Sequence, residues 1–203
     1  MMRGWLAMMA MFALVACKGG DNKASKLTPA EQAASPKCRA QCKINGRCHW
    51  LEDACRAHSV HDCVQADVCK SSGLCSFSEG ACVGTSAADC QRSEQCKAAG
   101  ACSLIGSDRR LPCGPKDDSD CETSELCSRK GRCTAVGGVC KVASANDCVR
   151  SAECKRHGRC SVKEVKGVAA TFNICAALSN DDCKRGVDCS QHGKCTAVGD
   201  ACR

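Results

Sequence analysis

The chain has 203 residues, a formal net charge of +7, 25 cysteines and only 2% aromatic residues. So few large apolar side chains exclude a conventional hydrophobic core for any repeating unit of about thirty residues, because the buried area could not offset the ordering entropy. The near absence of base-stacking aromatics also counts against a single-strand nucleic-acid surface, and no nucleic acid is expected as a partner.

The first segment, residues 1–16, reads as a signal peptide: Arg3 supplies a positive start and WLAMMAMFALVA, residues 5–16, is an apolar run too short to span a bilayer. Leu14-Val15-Ala16-Cys17 follows, a stretch that resembles a bacterial lipobox. That resemblance implies cleavage before Cys17, diacylation of its sulfur and acylation of the new amino terminus. Several acyl chains on one residue anchor stably where one chain binds only marginally. By the same resemblance Lys18, where an aspartate would signal retention, implies release to the outer membrane. Residues 17–36 then carry the acylated Cys17 and a flexible tether, KGGDNKASKLTPAEQAASP, polar and without periodicity.

Residues 37–203 hold six tandem four-cysteine repeats. They are Cys38, Cys42, Cys48, Cys55 (38–55); Cys63, Cys69, Cys75, Cys82 (63–82); and Cys90, Cys96, Cys102, Cys113 (90–113). The second half adds Cys121, Cys127, Cys133, Cys140 (121–140); Cys148, Cys154, Cys160, Cys175 (148–175); and Cys183, Cys189, Cys195, Cys202 (183–202). Seven residues always separate a fourth cysteine from the next first one, and five always separate the second from the third. Five also separate the first from the second, except in the opening unit, where there are three. Only the gap between third and fourth varies widely, reaching ten residues before Cys113 and fourteen before Cys175. Insertions collect at exposed loop tips, so the longest gap is expected to be a surface hairpin.

Most units open with a serine three residues ahead of an acid: Ser59 with Asp62, Ser86 with Asp89, Ser144 with Asp147, Ser179 with Asp182. This is capping-box spacing with Asp in place of Glu or Gln, and it starts a helix. Glycine four residues after the second cysteine (Gly73, Gly100, Gly131, Gly158, Gly193) ends it, giving one helix of about a dozen residues. Lys70, Lys97 and Lys155 sit in its last turn, where the dipole favours positive charge. CSFSEGAC, CTAVGGVC and CTAVGDAC then read as two-residue β-hairpins. The fold class expected is small disulfide-rich α+β repeats: tandem units of one short helix plus one β-hairpin with little hydrophobic core.

First and second cysteines six apart on one helix face different ways, so they do not bridge each other. Of the two connectivities left, first with fourth and second with third is favoured. Cys38 and Cys42 are only four apart, so the opening unit's pairing stays open. A bridge closing a loop of about fifteen residues contributes roughly 3 kcal/mol, so two per unit substitute for a core. An export signal places them where disulfides persist.

Dense cysteine also raises metal binding or thiol-redox chemistry, but no C-x-x-C occurs in the chain. The opening unit, with His49, His58 and His61 near Cys38, Cys42 and Cys48, is where a metal would sit; otherwise these histidines face solvent. No metal or cofactor is assigned. His157 and His192, before Gly158 and Gly193, read as helix-dipole partners, and Asp117 and Asp118 as a solvated charge run. No nucleophile elbow, HExxH or phosphate loop is present, and no enzyme is expected.

Basic residues recur at fixed positions: Lys43, Lys70, Lys97 and Lys155 after the second cysteine, and Arg47, Arg132, Arg159 and Lys194 before the third. Stacked units would line them into a stripe able to hold an anionic polymer such as an anionic polysaccharide, lipopolysaccharide or nucleic acid, the last disfavoured by the lack of aromatics; an envelope protein is the other partner class. The plainer account is helix-end charge. The long fifth hairpin, with Val162, Val165, Val168, Phe172 and Ile174, is a candidate partner contact or a protease-inhibitory loop. The loop from Ser103 to Pro112, with Arg109 and Arg110, is the second candidate.

The array resembles the cysteine-rich repeat lipoproteins of Gram-negative bacteria of the myxobacterial kind, with units of the form DC-x-x-S-x-x-CK-x-x-G-x-C. Asp89 to Cys102 and Asp147 to Cys160 carry the pattern best. It departs at the shortened first unit and at Ser128 and Ser190, where the lysine is missing. The resemblance implies a lipid-anchored envelope location, on the periplasmic or surface side of the outer membrane; with no active-site pattern in the chain, the expected role is that of a structural or partner-binding module.

Overall fold

In the computed structural model, which describes residues 35–106, 112–168 and 170–203, the chain is a succession of like units. Each of the last five contains two short helices and a two-stranded antiparallel hairpin. The first helices of these units are α2 (Val60–Gln65), α4 (Ala87–Gln91), α6 (Asp118–Glu122), α8 (Ala145–Arg150) and α10 (Asn180–Lys184). The second helices are α3 (Asp67–Ser72), α5 (Glu94–Ala99), α7 (Glu125–Lys130), α9 (Ala152–His157) and α11 (Val187–His192). The opening unit has a 3-10 turn, Pro36–Cys38, running straight into α1 (Arg39–Asn45), which corresponds to a second helix. The hairpins are β1 (His49–Leu51) with β2 (Ala54–Arg56), β3 (Ser76–Ser78) with β4 (Ala81–Val83), and β5 (Ser103–Leu104) with β6 (Cys113–Gly114). Then come β7 (Thr134–Val136) with β8 (Val139–Lys141), β9 (Ser161–Lys166) with β10 (Thr171–Ala176), and β11 (Ala197–Val198) with β12 (Ala201–Cys202).

Two helices stand where the sequence reading has one, and three buried serines show why. Ser93, Ser124 and Ser151 lie midway between the first and second cysteines of their units and are almost completely buried. Each hydroxyl donates to the carbonyl of the first cysteine at 2.7 Å and accepts from the amide of the second at 3.1–3.2 Å. Their ψ angles of 154–158° break the helix there, and the same side chain caps the next one. Ala66 and Gly186 hold the position in units two and six without a side-chain cap.

The first helices start as their serines imply: full capping boxes form at Ser59–Asp62, Ser144–Asp147 and Ser179–Asp182, and the Ser86 hydroxyl accepts from the Asp89 amide. The second helices end on left-handed glycines.

Twelve disulfides join first to fourth and second to third cysteine in every unit, the opening one included. The first–fourth bridge ties the start of a unit to the second strand of its hairpin. The second–third bridge closes the turn after the left-handed glycine.

Consecutive units share a repeated joint. The second helices stack in order, α1 on α3 through to α9 on α11. The aspartate before a first cysteine reaches back to the residue after the preceding unit's third cysteine. Thr134 donates its hydroxyl to Asp147 Oδ2 at 3.0 Å, and Ser76 and Ser161 do the same to Asp89 and Asp182. The same Asp147 oxygen accepts the amides of Ala143 and Ser144, so this buried carboxylate is well satisfied. At the first joint the hydroxyl is replaced by an imidazole, with His49 Nε2 3.4 Å from Asp62 Oδ2. Glycine closes the other side: a Cβ on Gly131 (φ +70°) would lie 2.8 Å from both the Asp147 carbonyl oxygen and the Cys175 sulfur. Gly193 has a similar φ of +68°, but a Cβ there meets nothing within 4 Å.

Two substitution sets check this account by chemical denaturation. Ala66→Ser is expected to stabilise, and Ser124→Ala to destabilise, by about 1 kcal/mol each, the usual worth of an N-cap. Gly193→Ala is expected to cost about 1 kcal/mol for its backbone alone, and Gly131→Ala a further 1–3 kcal/mol or so because it also overpacks a joint. Equal costs at the two glycines would contradict the joint.

Candidate functional site

The stacked second helices bring the sequence's lysines into one column: Lys43, Lys70, Lys97 and Lys155 are all exposed in the last turns of α1, α3, α5 and α9. Among the described residues none of the four makes an ion pair. The stripe is nevertheless not continuous. Asp67 and Glu94 begin α3 and α5 one turn earlier on the same face, offsetting Lys70 and Lys97, and in α7 the lysine is replaced by Ser128 behind Glu125. In the second set, Leu74 and Ala101 stand where basic residues are found in other units.

Positive charge instead gathers where α7 meets α9. Arg129, Arg132, Lys155 and Arg156 are exposed there, and Lys130 and Arg159 converge on Glu153. Lys130 Nζ donates to Glu153 Oε1 at 2.6 Å and Arg159 Nη1 to Oε2 at 2.8 Å. Burial pushes the Glu153 carboxyl up, but the hydrogen bond and charge of Lys130, together with Arg159, outweigh it and hold the group below its ordinary value. One joint further on, at the same repeat positions, His157 Nδ1 lies 2.8 Å from Asp188 Oδ2, and that hydrogen bond holds Asp188 low as well. His157 is therefore a joint residue in addition to sitting at a helix C-terminus; His192, at the end of α11, is exposed.

Two grooves flank α7. One, about 380 Å³, is lined by Leu126, Val142 and Ile174 together with Lys130, Arg132, Glu153 and Arg159. The other, about 330 Å³, is formed by Ala98, Ala99, Glu125, Leu126, Arg129 and Lys130. A larger groove of about 490 Å³ at the first joint has one cation, Arg47, with Asn45 and Val68 at the positions of Lys130 and Glu153. It is the less polarised of the two joints, so the α7–α9 surface is the stronger candidate.

The fifth hairpin is less exposed than its alternation suggests. Val162 packs on Val142, Cys148 and Cys175, and Val165 and Ile174 are half-buried; Val168 and Phe172 alone among the five are exposed. The reason is contact on both sides: Asn173 Nδ2 donates to the Val142 carbonyl at 3.2 Å, and Lys163 pairs with Asp200 of the last hairpin. The two strands pair with each other over six residue pairs, so the hairpin is a wall of the α7–α9 groove. Arg109 and Arg110 of the third-unit loop, and Cys17, lie outside the described residues.

In the opening unit His49 is 5% exposed, a buried joint residue where a solvent-facing one is expected; its ring meets that of His58 edge-on at 5.5 Å. His61 Nε2 lies 2.9 Å from the Gln65 side-chain amide. All four cysteines there are bridged, and among the described residues no group of three or more His, Cys, Asp or Glu is placed to hold a metal. Asp117 and Asp118 are not idle charge either. Asp117 caps α6 through Ser119, whose hydroxyl holds its carboxyl low, and Asp118 accepts the Ala135 amide of the hairpin.

Both joint carboxylates, Glu153 and Asp188, are held low, so their stabilisation is present above the ordinary carboxylate pKa and is lost as pH falls through the folded values. In thermal melts Glu153→Gln is expected to be less stable than the parent at pH 7, with the difference shrinking as the pH falls below the ordinary carboxylate range. A difference that persists in acid would contradict this. Compared with protein-family models, curated proteins and solved structures, the chain matches none, so the site rests on its own geometry.

Proposed function

We propose that this chain is a non-catalytic, lipid-anchored lipoprotein of the cell envelope, a disulfide-stapled repeat scaffold that holds a partner on its α7–α9 face. Its twelve disulfides are the chemistry of an oxidising, extracytoplasmic compartment, and no helix among the described residues is long and apolar enough to cross a membrane. The observation that carries the anchoring is arithmetical. The six units use 24 cysteines in bridges, and Cys17, the one left over, sits at the end of Leu14-Val15-Ala16-Cys17 behind an apolar run. Lys18, read with the lipobox, supports release to the outer membrane. The repeats hold their thiols as disulfides, which supports a scaffold over thiol chemistry. An anionic polysaccharide or an envelope protein suits the exposed basic residues outside the grooves, Lys155 and Arg156 among them.

The test is expression of the full chain in a Gram-negative host, with Cys17→Ser beside it, followed by membrane fractionation and intact mass. The parent is expected in the membrane fraction, cleaved before Cys17 and heavier by its acyl chains, and the variant is expected soluble. An unmodified, soluble parent would overturn the anchoring.

A further inference from the structure

The two grooves beside α7 share Leu126 and Lys130 as a common wall. Aliphatic side chains line both: Leu126, Val142 and Ile174 in one, Ala98, Ala99 and Leu126 in the other. Arg132 in the first and Arg129 in the second are exposed, and neither pairs with a carboxylate among the described residues. Lys130 and Arg159 share Glu153, and Asn173 gives its amide to the Val142 carbonyl. Glu125, in the second groove, stands one helical turn before Arg129 and offsets part of its charge, so the clearer site is the first groove, where aliphatic surface lies beside the unpaired Arg132.

We infer that this face of α7 binds an anionic amphiphile, an aliphatic chain with a phosphate or carboxylate head, as a membrane lipid supplies. The head meets Arg129 or Arg132, whose planar donors suit such oxyanions, and the chain covers Leu126 and its neighbours. A saccharide would bring a hydroxyl on nearly every carbon and a peptide its backbone amides, and groups like these are costly to cover without partners. A free inorganic anion would leave the apolar floor wet. The corresponding groove at the first joint, with the single cation Arg47, lacks the second guanidinium. The inference stands apart from the anchor at Cys17, and the two can fail separately.

The test uses the full chain with its disulfides formed, as Cys17→Ser so that no acyl chain of its own competes. Monododecyl phosphate, below its micellar concentration, is titrated calorimetrically beside inorganic phosphate and dodecyl maltoside. Saturable binding of dodecyl phosphate is expected, with both controls at least about tenfold weaker, since each lacks one half of the recognition. Adding Arg129→Gln with Arg132→Gln is expected to weaken binding by about tenfold or more, while Lys70→Gln with Lys97→Gln leaves it unchanged. Melting curves establish that both double variants fold. The inference is overturned by absent or non-saturable binding, by equal binding of either control, by an unaffected arginine variant, or by an equal loss in the lysine variant.

Discussion

Everything in this fold depends on cystine standing in for a hydrophobic core. The first cysteines, Cys38, Cys63, Cys90, Cys121, Cys148 and Cys183, are at most 1% exposed, and the apolar residues buried with them are small: alanines, Val83, Val142 and Leu74. Such a centre excludes too little apolar area from water to hold thirty residues in one conformation. The first–fourth bridge makes up the difference chiefly by restricting the unfolded chain, and it does so from inside each unit. A unit's geometry is therefore set locally, and variation is admitted only beyond the frame, as in the long hairpin of β9 and β10.

Local frames make an array only if their surfaces agree, and here polar chemistry decides the agreement. A carboxylate at the start of one unit accepts from a hydroxyl of the unit before it, and a left-handed glycine admits the incoming backbone. The outer rung of the joint, from the residue before the glycine to the residue before the next second cysteine, is free to vary. It carries Asn45 opposite Val68 at the first joint, Lys130 with Glu153 at the fourth, and His157 with Asp188 at the fifth. Variation at this rung, with Arg129 and Arg132 beside it, turns one repeat of a uniform scaffold into a distinctive surface. The stacking supplies position and the rung supplies chemistry.

Much of this was readable from local chemistry. Ser144 three residues before Asp147 specifies a helix start on its own, and the glycine after each second helix specifies an end. What the sequence hides is whatever depends on two elements at once. Ser151 three residues from each neighbouring cysteine looks like an ordinary helical serine until its hydroxyl is seen to serve two backbones. Lys130 and Glu153 lie 23 residues apart, and His157 and Asp188 31, separations that mean nothing until the second helices are known to stack. Alternating valines in the fifth hairpin suggested an apolar tip, but Val162 faces the cluster around Cys148 and Cys175, a contact set by the pleat and the bridge together.

The central claim, that each unit is closed by its own two disulfides and that no bridge crosses from one unit to the next, is tested most directly by non-reducing peptide mapping of the chain alkylated before unfolding. The account predicts twelve bridges, first to fourth and second to third within every unit, with none of the 24 repeat cysteines alkylated. A bridge crossing between units, or free thiols in the opening unit, would contradict it.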